Sequence, residues 1–414
     1  MSSDMFKELK VIKLLILGGL LFAFFLTLNV EKLGGLYVYS GQLSYFKNEN
    51  VDFHFLTGEN FTLSKDIKIK NVVHNEVVET FPVNIKNKPV DEQDVIKNGL
   101  GKGELIEKTT NSYSSGIYLV NETSAFVVKS EDSADVVVIY PAMNNVLYEP
   151  FKGKNAIGDK GVSRISLNRQ ASLDPATINW LSFFAELESK YKVNYITDLD
   201  LEKRGSLNAK VAFIYSDIPF WTKKMKDNFF AFQESGGNVL FSTTKVMNNA
   251  IWYDLSNNII SYSEDKSNHR YESWAEILGY YPTLEIGMSY SVGIDTPVSN
   301  TFEIIDKEHP IFKNIQNSVL EFELSRFTGY IVVSVKGNET LNLRYINYQS
   351  GKILAKAPKV KFDNKMTGIV ELKKDSLSGT IISLGTSDWC YQKAFKNKKT
   401  MYKIALNAVE YLLK

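Results

Sequence analysis

Strands that are apolar along their whole length constrain the fold of this chain most. Such strands are stable in a parallel sheet that is covered by helices on both faces. Two of them lie in the middle of the chain, at residues 136–140 (VVVIY) and 211–215 (VAFIY), and a third predicted strand, at 238–242 (NVLFS), is apolar at its centre. Segments with helical spacing of apolar residues lie between them, at 178–191 and 223–235. This alternation predicts an α/β fold with a doubly wound, mostly parallel sheet.

The predicted α/β domain covers residues 135–414. It closes with a strand at 379–385 and a helix from about 399 to 413. Residues from about 283 to 375 contain several strand-like runs without helical spacing. We expect this segment to form a β-rich insertion or an antiparallel edge of the sheet.

Residues 40–130 have a different pattern. Short alternating runs, such as 51–55 (VDFHF), are separated by turn residues. Regular short strands without a helical period predict a β-sandwich, immunoglobulin-like in size. His54 and His74 lie singly in this region, and we expect both at ordinary sheet positions because metal ligands usually come in clusters.

An uncharged apolar segment lies near the start of the chain, at residues 14–30. A helix of roughly 20 residues matches a hydrocarbon core of about 30 Å. Lysines precede the segment, so residues 1–13 are predicted to be a cytoplasmic tail and the body to be extracytoplasmic. No small-x-small cleavage site follows, which favours an uncleaved, single-pass signal anchor. A cleaved signal peptide and a buried core helix are the alternatives.

The composition excludes several classes of protein. The chain is 44% hydrophobic and 13% aromatic, which gives it the apolar side chains that a disordered protein lacks. Its net charge of +1 arises in the first 30 residues, so residues 31–414 are neutral. A neutral body is not expected to bind nucleic acid. The single cysteine, Cys390, excludes an intramolecular disulfide and a Cys-rich metal site.

In an open α/β sheet, ligands bind beyond the carboxyl ends of the strands. The segments that follow the predicted strands are rich in polar and aromatic side chains, which is typical of a small-molecule cleft. Ordinary turn chemistry explains each segment equally well when it is taken alone. The candidate ligand-binding residues are Asn144, Asn145, Arg169, Ser216, Trp221, Asn248, Asp388 and Trp389.

Standard catalytic motifs are absent from the sequence. There is no Gly-x-Ser-x-Gly elbow, no HExxH, no CxxC and no phosphate-binding glycine loop. Cys390 has no histidine after it, which favours a structural cysteine. The candidate general bases are Asp217 and His269, although a surface helix start explains the segment around His269 as well. No metal ligands are predicted from the residues alone.

The chain resembles the N,N-dimethylformamidase β-subunit-like family from about residue 45 to its end. The stretches that carry the resemblance are residues 115–118 (SGIY), 125–129 (AFVVK), 142–144 (AMN), 162–169 (VSRISLNR), 193–201 (VNYITDLDL), 220–225 (FWTKKM) and 232–239 (FQESGGNV). The resemblance implies a class I glutamine amidotransferase-like α/β domain behind a β-sandwich. It also implies amide hydrolysis at a mononuclear iron that is held by tyrosines and a glutamate.

Two departures from the family pattern concern that iron. Met143 stands where the family tends to have a tyrosine, and Pro219 stands where relatives have the glutamate. Neither side chain provides a hard oxygen ligand. The family iron site is therefore expected to be incomplete, and the cofactor is left unknown.

Two functions follow from these observations. The favoured one is a membrane-anchored extracytoplasmic protein whose degenerate amidotransferase-like cleft binds a small ligand or a cell-surface glycan. The alternative is a metal-assisted hydrolase of C–N (amide) bonds, so the sequence leaves open whether the chain is an enzyme. A scaffold that binds envelope protein partners is a third hypothesis.

Overall fold

A computed structural model of the chain describes residues 36–58, 62–86, 88–90, 95–149, 163–243, 245–261, 264–265, 270–271, 286, 289–290, 298–324, 328–335, 338–341, 348–362, 365–386 and 398–414. Within these ranges, no helix combines the length and the apolar character that a membrane span requires. The predicted anchor at residues 14–30 lies outside them. Membrane anchoring therefore stays a prediction.

The first eight strands form two facing sheets. They are β1 (Leu36–Ser40), β2 (Ser44–Phe46), β3 (Asn50–Thr57), β4 (Thr62–Asn71), β5 (Glu76–Lys86), β6 (Glu104–Thr109), β7 (Gly116–Val120) and β8 (Ser124–Lys129). The strand order is β1-β3-β6 in one sheet and β2-β8-β7-β4-β5 in the other. Pairing is antiparallel except between β2 and β8. One buried cluster draws on both sheets, with Phe53 and Phe55 from one and Tyr118 and Phe126 from the other.

The remaining strands belong mainly to one large sheet. They are β9 (Ala134–Tyr140), β10 (Arg164–Ser166), β11 (Val193–Thr197), β12 (Ala209–Ile214), β13 (Ile218–Trp221), β14 (Asn238–Phe241), β15 (Val246–Ala250), β16 (Trp252–Asp254), β17 (Ile259–Ser261), β18 (Glu264–Asp265), β19 (Arg270–Tyr271), β20 (Ser289–Tyr290), β21 (Val298–Ile304), β22 (Val319–Leu324), β23 (Thr328–Val335), β24 (Asn338–Leu341), β25 (Ser350–Phe362), β26 (Lys365–Lys373) and β27 (Thr380–Ser383).

The large sheet has twelve strands and is mixed. Five parallel strands run in the order β11-β9-β12-β14-β27, and the order continues with the antiparallel strands β26-β25-β21-β22. The expectation of a mostly parallel sheet is corrected here, because antiparallel strands between β20 and β26 extend the sheet. Of the two alternatives for residues 283–375, the described residues form the antiparallel edge and not a separate insertion. The overall class is mixed α/β, with large sheets and few helices.

Helices occupy a small part of the described chain. The α-helices are α1 (Val95–Asn98), α2 (Ala142–Tyr148), α3 (Pro175–Glu188), α4 (Lys223–Glu234) and α5 (Lys398–Leu412), and the 3₁₀ helices are η1 (Asp198–Glu202) and η2 (Pro310–Phe312). Asp174 caps α3, since its side chain accepts from the Thr177 N–H. Gly236 follows α4 with a φ of 95°, as is usual after a helix end.

Apolar strands and helix faces produce one extensive core around the parallel strands. Residues 136–140 of β9 are buried throughout, and Trp180 and Phe183 of α3 pack against Phe213 of β12. The sandwich meets this region closely. Asn194 of β11 accepts from the Ser115 hydroxyl at 2.6 Å and donates to the Ser130 carbonyl at 2.9 Å. The division into domains at residues 40–130 and 135–414 stays a prediction.

Candidate functional site

Helix α2 begins directly beyond the carboxyl end of β9, and its cap comes from a residue that follows another strand. Pro141 precedes α2 and makes no side-chain cap. Asp198 supplies the missing acceptor, because it receives the N–H of Met143 at 2.8 Å and that of Asn144 at 3.1 Å. Asp198 follows β11, which pairs in parallel with β9, so both strands end at the same edge. The pairing of these strands therefore fixes the start of α2.

Asp198 is fully buried, and its environment is unusual for a carboxyl group. Burial raises the pKa of Asp198 to about 7, and the nearby Asp200 acts in the same direction. Hydrogen bonds from the backbone N–H groups of Met143, Asn144 and Leu199 act in the opposite direction. The carboxyl group can thus change protonation near neutral pH while it is bonded to the helix start.

A polar cluster lies beside this cap. The Asn145 amide donates to the Tyr140 hydroxyl at 3.2 Å and to the Asp174 carboxylate at 3.3 Å. Thr177 bonds both to Asp174 and, at 2.6 Å, to the Tyr215 hydroxyl. Burial raises the pKa of Asp174 and holds that of Tyr140 well above its ordinary value. The cluster connects the ends of β9 and β12 with the start of α3.

Three predicted ligand-binding residues carry a buried polar atom that has no hydrogen-bond partner within the described part of the chain. These atoms are Asn144 Oδ1, Asn248 Oδ1 and Arg169 Nη1. The other terminal nitrogen of Arg169 donates to the Glu149 carbonyl, at the end of α2, at 2.8 Å. Burial lowers the pKa of Arg169. Buried polar atoms of this kind ordinarily have a partner, so a bound group could pair with these three.

Asn144 and Arg169 lie at opposite ends of α2. Helix α2 also packs against β13, where the Tyr148 and Phe220 rings are 6.3 Å apart. Strand β13 pairs in parallel with β15, which carries Asn248. The three unpaired atoms are therefore distributed around the short helix α2 and the neighbouring pair of strands, β13 and β15. The sequence predicts a small-molecule cleft at this edge of the sheet, and we use the name "α2 crevice" for Asn144, Asn145, Arg169 and Asn248 with this helix.

The other predicted residues are hydrogen-bonded or buried, or they lie outside the described residues. Asp217 Oδ1 accepts from the Thr243 hydroxyl at 2.7 Å and from the Lys245 N–H at 3.1 Å. Trp221 is buried, and its indole N–H donates to the Ile218 carbonyl at 2.6 Å. Ser216 is buried next to Asp217. His269, Asp388, Trp389 and Cys390 lie outside the described residues.

Two features at the carboxyl ends of the parallel strands were not predicted. The segments after β12 and β14 are short parallel strands, β13 and β15, whereas the sequence predicted loops there. Asp198 and Asp174 were not among the candidate residues, although Asp198 directly follows the apolar residues of β11. That position was the one signal that could have identified it.

The residues present do not fit the iron that the family resemblance implies. Met143 and Pro219 are both buried, and neither side chain has an oxygen atom. Among the residues for which the structure gives positions, no three or more His, Cys, Asp or Glu side chains form a group that could hold a metal ion. Thioether and pyrrolidine groups are poor substitutes for phenolate and carboxylate at iron.

Comparison with known proteins identifies one family. A family model described as N,N-dimethylformamidase beta subunit-like, C-terminal, matches residues 107–399. No curated protein matches the chain significantly. Among solved structures, the mmIFT52 N-terminal domain is similar with 12% sequence identity and a TM-score of 0.32, over 56% of this chain and 88% of that chain. A similarity of that size supports no inference about fold or function.

Proposed function

The chain belongs to the N,N-dimethylformamidase beta subunit-like family, and on that premise we propose that it is a membrane-anchored extracytoplasmic binding protein. The binding site is the α2 crevice, in an amidotransferase-like domain that lacks the iron of the family. The ligand is a small polar molecule or the end of a cell-surface glycan.

The unpaired atoms of the α2 crevice carry this proposal. A buried polar atom without a partner costs about 1–3 kcal/mol, so each of the three favours a bound group that pairs with it. The amide oxygens of Asn144 and Asn248 require donors, whereas Arg169 Nη1 requires an acceptor. Sugar hydroxyl groups meet both requirements, because each one donates and accepts.

The environment of Asp217 favours binding over catalysis. A general base must reach the proton that it removes. One oxygen of Asp217 instead accepts two hydrogen bonds that connect the start of β13 with the segment before β15. Met143 and Pro219 also remove two expected iron ligands, and metal-assisted hydrolysis requires its full set.

Family membership favours a second candidate function, the hydrolysis of an amide bond. In that case, iron ligands would have to come from residues other than Met143 and Pro219. If the chain is such a hydrolase, the purified full-length protein is expected to contain stoichiometric iron and to hydrolyse N,N-dimethylformamide. Either finding would overturn the binding proposal.

Binding is tested with N-acetylglucosamine, which carries both hydroxyl groups and an amide. We expect the full-length chain in detergent to bind this probe and Asn144→Ala or Asn248→Ala to weaken binding about tenfold, which corresponds to about 1.4 kcal/mol. Asn84→Ala is the matched control, because Asn84 is exposed on the far β5. Equal binding by all three variants, or no binding by the unmodified chain, contradicts the assignment of the crevice.

A further inference from the structure

A cavity lies where the β-sandwich meets the large sheet. Its volume is about 540 Å³. Its walls are the turn between β1 and β2 (residues 41–44), the 3₁₀ helix η1, the first turn of α4 and the hairpin formed by β16 and β17. None of the residues of the α2 crevice lines it. Small-molecule sites commonly have this size and often lie where two folded regions meet.

The formal charges that line this cavity sum to zero. They belong to two carboxylates and two lysines, namely Asp200, Glu202, Lys203 and Lys224. Asp200 is paired with Lys129, which lies outside the lining. Glu202 accepts a hydrogen bond from the Thr222 hydroxyl at the start of α4. A cationic ligand would therefore have to compete with partners that these carboxylates already hold.

The interior of the cavity also disfavours an anion. Burial raises the pKa of Tyr253, in the wall formed by the hairpin, to about 12. The carboxylates of Glu202, Asp200 and Asp254 act on this pKa in the same direction. The two lysines of the lining are exposed to water, which screens their charge. With neither sign of charge favoured, the cavity suits a neutral ligand.

Part of the wall is apolar. Leu43, Leu199 and Leu255 line the cavity, and Leu255 is 74% exposed. The Tyr253 hydroxyl donates to the Asn258 amide oxygen at 3.0 Å, which fixes the end of the tyrosine side chain in the hairpin. A bound molecule can thus pack against three aliphatic side chains and an aromatic ring.

The polar part of the wall is held by hydrogen bonds behind it. The Ser44 hydroxyl donates to Asp200 at 2.9 Å and accepts from the Lys129 ammonium group at 2.9 Å. The Thr197 hydroxyl donates to Asp200 at 2.8 Å. The lining therefore presents carboxylates, which accept, together with hydroxyl, amide and ammonium groups, which donate. Ligand hydroxyl groups match such a mixture, because each one both donates and accepts.

We infer that this cavity binds a neutral sugar, with the C–H face of one pyranose ring against Tyr253 and the leucines and its hydroxyl groups paired with the polar wall. A pyranose combines an apolar face with a ring of hydroxyl groups, as the two parts of the wall require. The site is separate from the α2 crevice and does not depend on the proposed function.

The probe is methyl α-glucopyranoside, and glucuronate and glucosamine are its anionic and cationic counterparts. Calorimetry of the full-length chain, in a detergent without a sugar headgroup, measures the affinities. We expect the neutral sugar to bind at low-millimolar concentration or more tightly. Each charged sugar should bind at least about threefold more weakly, because it loses hydration without gaining an ion pair. No binding of the neutral sugar, or tighter binding of a charged one, overturns the inference.

The decisive variant combines Gln42→Ala with Leu255→Ser, two changes in the lining. Both side chains are exposed, so folding should be unaffected, and binding of the neutral sugar should weaken about tenfold. Leu377→Ser is the matched control, since Leu377 is 82% exposed and lies outside the lining. Its affinity should stay within about twofold of the unmodified chain. Sugar binding that Asn144→Ala removes and the double variant leaves intact overturns the inference, because the sugar then lies in the α2 crevice.

Discussion

Lys129 and Asp200 form a buried ion pair between the β-sandwich and the large sheet. Lys129 is the last residue of β8, Asp200 lies in η1, and each side chain is 6% exposed. The Lys129 ammonium group lies 4.5 Å from the centre of the Phe46 ring. Asp200 also accepts from the Thr197 N–H at 2.8 Å. Burial acts to raise the pKa of Asp200, but the charge of Lys129 and the hydrogen bonds from Lys129, Thr197 and Ser44 together outweigh it and the pKa is lowered.

We expect Lys129→Met to destabilise the protein by about 3–5 kcal/mol, because it leaves the Asp200 carboxylate buried without its partner. Urea denaturation of the full-length chain measures the change. The control is the double variant Lys129→Met with Asp200→Leu, which removes both charges and should recover most of the loss. A single variant that is as stable as the unmodified protein would show that the pair contributes nothing to stability.

Asp198 predicts a dependence of stability on pH. Its pKa is about 7 in the folded protein against an ordinary value of 3.8. The folded state therefore holds the proton more strongly, and the contribution of Asp198 to the free energy of unfolding falls as pH rises from about 4 to 7. Asp198→Asn should abolish this contribution, because an amide does not titrate. The amide oxygen can still accept the N–H groups at the start of α2.

The measurement for Asp198 is the difference in unfolding free energy between the two proteins at several pH values. The unmodified protein should lose stability relative to Asp198→Asn by up to about 1.4 kcal/mol per pH unit in that window. A difference that stays constant with pH would mean that Asp198 is already ionised at pH 4.

Glu371 connects the antiparallel strands to the C-terminal helix. It lies 3.1 Å from the His309 Nε2 and accepts from the Tyr411 hydroxyl at 2.8 Å. Burial acts to raise the pKa of Glu371, yet these two hydrogen bonds and the charges of His309 and Lys352 together outweigh it and the pKa is lowered. The stabilisation is therefore present above the ordinary pKa of 4.5 and is lost as pH falls below it.

Glu371→Gln should destabilise the protein by about 1–3 kcal/mol at pH 7, because charged hydrogen bonds of this kind contribute that much. The loss should shrink as pH falls from 7 towards 3, because protonation of the unmodified Glu371 removes the charge that strengthens its hydrogen bonds. Thermal denaturation at both pH values measures it, and Glu76→Gln at the exposed start of β5 is the control. An equal loss at both pH values would assign the effect to packing.

Asp217→Ala separates a structural role of this residue from a catalytic one. We expect a loss of about 1–3 kcal/mol in stability, since the Thr243 hydroxyl and the Lys245 N–H lose an acceptor. Chemical denaturation measures the loss. Unchanged stability combined with the disappearance of an amidase activity would instead identify Asp217 as a catalytic base.

The sequence predicts those elements whose pattern is local. The strand at residues 136–140 and the helix around Trp180 follow from uninterrupted or periodic apolar residues, and both are present as β9 and α3. Strands β13 and β15 were missed because their sequences, IPFW and VMNNA, contain a proline and two asparagines, which are rare in strands. The central position of β27 was also beyond prediction, because strand order depends on long-range pairing.

In the candidate site, too, local features were predicted from the sequence and long-range ones were not. Asn144 and Asn248 were predicted because each follows a strand in the chain. Their unpaired oxygens could not be predicted, since a missing partner depends on every neighbour in space. Asp198 was overlooked for a related reason. It caps α2 only because β11 pairs with β9, and no sequence spacing between residues 141 and 198 indicates that relationship.

The position of β27 has a consequence for how the protein is made. Strand β14 pairs on one side with β12, and its other partner comes from residues 380–383, near the end of the chain. While a ribosome is still synthesising the intervening segment, the hydrogen-bonding groups on that side of β14 lack their native neighbour. Nascent chains halted before residue 380 should therefore aggregate or recruit chaperones, and release of about 35 further residues should end that exposure.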